Sequence, residues 1–213
     1  MVHAQGFSAA VAAALGTAGL SIPVVVTSHD VIEAHPLQER FTAGRRVGLR
    51  WALSRATVVQ SVSHDAQENL LKALPSLRSH AGLRVIVNGV DPTSFFPSQD
   101  QGDIPQLGPV RFVFVGRPMP QKGFVDIIGA CKLLARRFDF LIIVCGDGGF
   151  IREYRAEIER SGLRSLFRFQ GFLGAVAGQL RASDAQLMPS LWEACGIAAM
   201  EALIAGCPLI ASN

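Results

Sequence analysis

The sequence predicts an α/β fold made of two doubly wound, parallel-sheet units. Short apolar runs alternate with helix-length segments along the whole chain, the pattern of right-handed βαβ units. The runs are continuously apolar rather than alternating, as expected of parallel strands covered on both faces. A stretch rich in Asp, Pro, Ser and Gly at 91–109 interrupts the alternation near its middle and marks a boundary.

In the first half, residues 22–27, 57–60 and 84–88 are rich in valine and isoleucine and predict strands. Alanine-rich 8–17, then 36–55 and 64–74, predict helices, with Ser63 and Asp65 as cap candidates for the last. Beyond the boundary, strands are expected at 110–115, 140–145, 166–170, 185–188 and 208–211. Helices are expected at 122–137, 149–161, 174–182 and 196–205. The resulting organisation is a partial N-terminal domain over 1–99, a linker at 100–109 and a partial C-terminal domain over 110–213. Two complete doubly wound domains need roughly 300 residues, so the 213 present are expected to hold part of each.

No acid, lysine or arginine occurs from Ala4 to His29. Gly6, Gly16, Gly19 and Pro23 interrupt this run and no lysine or arginine precedes it, so a helix followed by a buried strand accounts for it better than a membrane span. Arg45, Arg46 and Arg50 lie beside Leu49 and Trp51 in one helix, which allows either a solvated face or weak peripheral membrane contact.

Composition narrows the class. Apolar residues make up 49% and charged residues 17%, with mean hydropathy +0.32, which excludes disorder, coiled coil and fibrous repeats. Net charge is +3, and no basic block interleaves with aromatics, so a nucleic-acid partner is not expected. Cys131, Cys145, Cys195 and Cys207 form no Cys-x-x-Cys pair, which points to free thiols in a reducing compartment, with the cytoplasm as the expected location. No Asp-x-Asp and no His/carboxylate cluster offers a metal site, and neither a phosphate-binding P-loop nor a dinucleotide fingerprint is present.

The chemistry-bearing residues fall in strand-to-helix loops, where open parallel sheets bind ligands. After 110–115 come Gly116, Arg117 and, six residues past Gly116, Lys122 followed by Gly123. A lysine expected in the first helical turn opposes the helix dipole; a bound phosphate would reverse that cost, and two solvated surface cations are the alternative. After 140–145 come Gly146, Asp147, Gly148 and Gly149, which either bring backbone close to a ligand or make a tight turn. Glu193 and Glu201 bracket the entrance to a helix that is otherwise apolar all round and is therefore expected to be buried. A carboxylate there needs partners: two acids spaced this way grip vicinal hydroxyls, or one caps the helix and the other is bonded internally. His29 ends a strand as Thr-Ser-His-Asp and either meets a ligand across the cleft or is a polar loop residue. His3, His35, His64 and His80 are structural or surface residues in this reading.

Taken in order, Val87-Asn88-Gly89-Val90-Asp91, Val115-Gly116-Arg117 with Lys122-Gly123, Gly146-Asp147-Gly148, Ser183-Asp184 to Pro189-Ser190, Glu193 to Glu201, and Ala205-Gly206-Cys207-Pro208 form a succession. It resembles the family-four glycosyltransferases (glycosyl transferases group 1) of the GT-B fold, whose two domains are Rossmann-like. The resemblance covers nearly the whole chain and is most specific in the two glutamates and the Ala-Gly-x-Pro that follows. It implies metal-independent transfer of a sugar, with retention, from a nucleoside-diphosphate sugar to an acceptor hydroxyl, without a cofactor. The acceptor class, whether saccharide, lipid or small molecule, is left open.

By the same resemblance, Arg117 and Lys122 would hold the donor diphosphate and stabilise the leaving group, and Gly116 and Gly146 would belong to the donor-binding site. Glu201 would bind ribose hydroxyls, while Glu193 with the backbone N–H groups of Cys195, Gly196 and Ile197 would hold the transferred sugar. Phe172 and Leu173 would meet the base through main-chain groups, and His29 would line the acceptor side. Cys195 stands where the family most often has an aromatic residue. Val2-His3-Ala4-Gln5 resembles a strand from the middle of the acceptor domain, and the family continues beyond Asn213, so truncation at both ends is expected. A nucleotide-sugar-binding module without transfer activity is the competing reading. A sugar-nucleotide epimerase is a third, for which the first half offers only Asp30 and Glu33 as nearby acids.

Overall fold

A computed structural model describes residues 1–32, 43–95 and 108–212, which fall into two compact units. Residues 36–42 of the expected second helix, Glu33, His35 and most of the expected linker lie outside the described residues. The first unit comprises Met1–Gly89 with Trp192–Cys195, and the second Val90–Leu191 with Gly196–Asn213.

In the first unit, β1 (Val2–Gln5), β2 (Val24–Ser28), β3 (Val58–Ser61) and β4 (Leu83–Val85) form a parallel sheet in that order. The strand expected at 84–88 is therefore shifted and shortened to Leu83–Val85. Helices α1 (Phe7–Gly16), α2 (Ala43–Arg55) and α3 (His64–Ala73) supply the crossovers. Side chains alternate across a strand, and Ala4, Val24, Val26 and Val59 build one face of the sheet. Ala10 of α1, Leu49 and Leu53 of α2 and Leu70 of α3 pack there. Leu49 is thus in the core and does not share a surface with Arg45 and Arg50, which are exposed. His3, Gln5, Thr27 and Gln60 occupy the other face, so cover by the described helices is one-sided, where both faces were expected to be covered. Ser63 caps α3: its hydroxyl oxygen accepts from Ala66 N at 3.0 Å and its proton goes to Ala194 O at 2.6 Å.

The second sheet holds β5 (Val110–Val115), β6 (Phe140–Cys145), β7 (Phe167–Gly171), β8 (Ala185–Met188) and β9 (Leu209–Ala211), all parallel, in the order β7-β6-β5-β8-β9. Both faces are covered. Phe114, Ile142 and Val144 pack on one side with Phe124, Ile127 and Ile128 of α4 (Phe124–Leu134) and Ile158 of α5 (Ile151–Arg160). Val113, Ile143 and Cys145 pack on the other with Ala177 and Leu180 of α6 (Ala177–Arg181) and Ala202 of α7 (Ile197–Ile204). Phe124 anchors the first side, its ring 5.0 Å from Phe114 and 5.1 Å from Tyr154, centre to centre.

Two expectations change here. Lys122 does not open a helix; it closes a 3₁₀ turn (Pro120–Lys122), and Gly123, left-handed at φ 63°, separates that turn from α4. A Cβ on Gly123 would lie 2.7 Å from the carbonyl carbon of Pro189 and nearer still to its oxygen, so only glycine fits where these two loops meet. The second change concerns α7, which is not buried on all sides. Ala202 is its one buried residue, while Leu203 is 66% exposed, because only one flank of the helix meets the sheet. All four cysteines are free, and burial pushes the Cys131 and Cys145 thiols up to about 11. Among the described residues, no helix is long and apolar enough to cross a membrane.

Candidate functional site

In the second sheet β5 and β8 are neighbours although β6 and β7 lie between them in sequence. The chain therefore leaves β5 in one direction and returns on its other side at β8. Such a switch opens a crevice beyond the strands' carboxyl ends, and a cavity of about 610 Å³ lies there. Val115, Gly116 and Arg117 enter it from the end of β5, and Cys145, Gly146 and Asp147 from the end of β6. Phe172 to Ala177 line it beyond β7, Glu201 contributes from α7, and Ser94 and Phe95 from a 3₁₀ turn (Pro92–Phe95).

The loops after β5 and β6 are pressed together. A Cβ on Gly146 would lie 2.7 Å from the carbonyl carbon of Gly116 and closer to its oxygen, and Gly146 has φ +149°. Gly116 N donates to Cys145 O at 2.9 Å and Gly146 N to Gly171 O at 2.7 Å, which ties three strand ends into one floor. Asp147 turns back on its own loop, its Oδ1 accepting from Gly148 N at 2.8 Å. The 3₁₀ wall is held by Arg181, whose guanidinium donates to Phe95 O at 2.8 Å.

The lining is mixed in character. Phe95, Phe172, Leu173, Val176 and Ala177 are apolar, Phe172 being 85% exposed. Arg117, Asp147 and Glu201 bring charge. Glu201 is half-buried inside α7 and has no hydrogen-bond or ion-pair partner among the described residues; burial alone pushes its pKa up from 4.5. Of the two readings open for this carboxylate, the internally bonded one finds no partner among the described residues, and the side chain lines the cavity.

Of the residues singled out from sequence, the cavity gathers Gly116, Arg117, Gly146, Phe172, Leu173 and Glu201. Lys122 lies in the 3₁₀ turn before α4, and Gly196 and Ile197 form the entrance to α7, where Gly196 is the N-cap. Glu193 and Cys195 belong to the Trp192–Cys195 segment of the first unit. Ala194 there packs with Val31, Val62 and Ala66. His29 is exposed, one residue past the end of β2. Sequence reasoning missed Ser94 and Phe95, whose turn-rich stretch looked like linker, and Gln5, whose Oε1 accepts from His29 Nε2 at 2.5 Å.

Residues 99–213 match the family model for glycosyl transferases group 1, and residues 1–94 that for glycosyltransferase family 4. A galactosyltransferase of Escherichia coli, UDP-Gal:alpha-D-GlcNAc-diphosphoundecaprenol alpha-1,3-galactosyltransferase, is 32% identical over 141 residues, covering 62% of this chain and 36% of the relative. The alpha-maltose-1-phosphate synthase of Mycobacterium tuberculosis is 28% identical over 237 aligned positions, covering all of this chain and 59% of the relative. Among solved structures, Anabaena Alr3699/HepE in complex with UDP and glucose superposes with a TM-score of 0.82 at 24% identity, over 98% of this chain and 58% of that one. WaaG, a glycosyltransferase of lipopolysaccharide biosynthesis, gives 0.70 at 22% identity, over 94% and 62%. These two likenesses concern the fold. The chain spans between about a third and three-fifths of the length of these curated relatives.

Proposed function

The chain belongs to the glycosyl transferases group 1 family, and on that premise we propose that its second unit binds a nucleoside-diphosphate sugar for transfer of the sugar to an acceptor hydroxyl. The observation that carries this is Glu201: a half-buried carboxylate with no partner among the described residues, facing the same cavity as Arg117 and the paired glycines. Partial burial strips a carboxylate of some of its hydration, and a ribose offers two adjacent hydroxyl donors to replace it.

In this proposal the diphosphate lies over the backbone of Gly116 and Gly146, whose missing side chains permit close approach, and Arg117 supplies positive charge. Charge builds on the phosphate as the glycosidic bond breaks, and a fixed guanidinium favours that state over the intact donor. Lys122 adds a second cation, so metal-independent transfer is the form proposed. The base lies toward Phe172 and Leu173. Glu193, with the N–H groups at the entrance to α7, receives the transferred sugar, and His29 serves the acceptor. Retention of configuration, with the leaving phosphate drawing the acceptor proton on the face the donor leaves, completes the scheme. Support for the donor comes from relatives whose own names and complexes include UDP-galactose, UDP and UDP-glucose.

Calorimetry with UDP, followed by an assay of UDP-sugar hydrolysis and transfer, tests the proposal. Binding with turnover is expected. Absence of UDP binding refutes the donor site, and binding with no turnover of any donor leaves a binding module and refutes the transferase.

A further inference from the structure

The Pro92–Phe95 turn and Arg181, the last residue of α6, both belong to the second unit, although Phe95 and Arg181 are 86 residues apart. The turn is fixed at both ends. At its start, Asp91 Oδ1 accepts from Thr93 N at 3.0 Å and from Thr93 Oγ1 at 2.7 Å, a side chain bonding the chain two residues on. At its end, the Phe95 ring is 8% exposed in the apolar cluster of Ala177, Leu180, Ala202 and Cys207. Leu173 and Val176 pack on the same cluster. A carbonyl drawn out of water beside such a cluster needs a donor. Phe95 O has one in Arg181 Nη1, at 2.8 Å.

An arginine is a costly donor to use there. Its side chain is partly buried and its Nε is shut off from water without a hydrogen-bond partner. The Phe95 carbonyl is its one hydrogen-bond or ion-pair partner among the described residues. Partial burial of a cation is unfavourable, and what this cation secures is the turn. Arg181 is not among the residues that line the cavity, whereas Ser94 and Phe95 are. Ser94 is exposed and carries the one hydroxyl among the described lining residues. We infer that Arg181 is a positioning residue for nucleotide binding: it clamps the turn against α6 and α7, so that Ser94 and Phe95 stand as a fixed wall of the cavity. The clamp is a property of the second unit alone, and its consequence for the nucleotide rests on the proposed donor role of the cavity. In that role the base lies toward Phe172 and Leu173. A wall packed on the cluster that Leu173 joins therefore meets the nucleoside rather than the diphosphate.

The test compares Arg181→Met, which keeps the stem and loses the donor, and Arg181→Lys, which keeps a donor, with the wild type. Two measurements are made on each. The first is chymotryptic cleavage after Phe95, located by mass spectrometry, because the protease must take up a ring that the fold buries. Arg181→Met should be cut there at least about tenfold faster, since cleavage follows the population of the opened segment, and Arg181→Lys should stay within about twofold of wild type. The second is calorimetry with UDP and with pyrophosphate. A wall in place only about a tenth of the time weakens UDP binding by Arg181→Met about tenfold, while pyrophosphate, which has no nucleoside, should change by less than about twofold. Arg181→Lys should recover most of the UDP affinity. If Arg181→Met is cut no faster than wild type, or binds UDP as tightly, the inference is overturned. An equal loss of UDP and pyrophosphate also overturns it, because it marks an arginine that supports the whole unit. A wild type that binds no UDP refutes the donor reading and the nucleotide role with it, while faster cleavage of Arg181→Met upholds the clamp.

Discussion

Replacing Gly146 by alanine places a methyl group where the structure has none to spare. Its Cβ would meet the Gly116 carbonyl, 2.7 Å from the carbon and closer to the oxygen, and the residue would be held at φ +149°. A side chain in such a backbone region costs about 1–3 kcal/mol, and overpacking against atoms that cannot rotate away costs about 1–3 kcal/mol more. The midpoint is about 4 kcal/mol, which in a chain of this size lowers Tm by about 8–16 °C. Relief by backbone movement would push Gly116 and Arg117 off the cavity floor, so UDP affinity should fall in the same variant. Gly148→Ala is the control, since its Cβ meets Pro118 O at 3.6 Å and the Arg117 side chain at 3.7 Å, both ordinary contacts. Its Tm should stay within about 2 °C of wild type, as for substitutions without a special backbone or packing demand. Thermal melts and UDP calorimetry on both variants decide the matter. A Gly146→Ala protein that melts like wild type, or a Gly148→Ala protein equally damaged, rules out a special demand for glycine at 146.

Arg117→Ala should weaken UDP binding by about 1.5–3 kcal/mol, the range for a hydrogen bond to a charged group, read as a loss of about 10- to 150-fold in affinity by calorimetry. Glu201→Gln should weaken UDP binding more than pyrophosphate binding, because only UDP carries ribose. The same variant reports on pH. Burial raises the folded-state pKa of Glu201 above its ordinary 4.5, so the wild type is least penalised at acid pH and loses stability as pH rises through the folded value. The Gln variant should therefore gain Tm relative to wild type between pH 4 and pH 7, and an equal gap at both ends would contradict the assignment. Ser63→Ala removes the α3 cap and leaves the buried Ala194 carbonyl without its donor; the two losses together are about 2 kcal/mol, whereas Ser63→Thr should melt near wild type.

Much of the fold was legible because its signals are local. Continuous apolar runs such as Phe140–Cys145 announce strands buried on both sides, and Ser63 announces a helix start through its own hydroxyl. The element boundaries moved where a contact from elsewhere intervened. The helix expected from 122 begins at Phe124 because Gly123 must pass the Pro189 carbonyl, a residue 66 positions away in sequence and invisible to any local pattern. The apolar sequence of α7 suggested full burial, but hydrophobicity is compatible with one buried flank when a helix lies beside a sheet.

Local pattern was enough to establish a two-unit parallel α/β protein whose polar and glycine motifs follow strands, and the order of those motifs carried the family resemblance. The tertiary structure alone decided which motifs share a space. Strand order β7-β6-β5-β8-β9 brings Arg117, Gly146, Phe172 and Glu201 to one crevice, although 84 residues separate the first from the last. It also joined Gln5 to His29, 24 residues apart, and set Glu201 in the wall of that cavity. The physical reason is that burial and periodicity are encoded residue by residue. The meeting of loops at a sheet's carboxyl edge depends instead on the order in which strands pair, which is decided only when the whole sheet has formed.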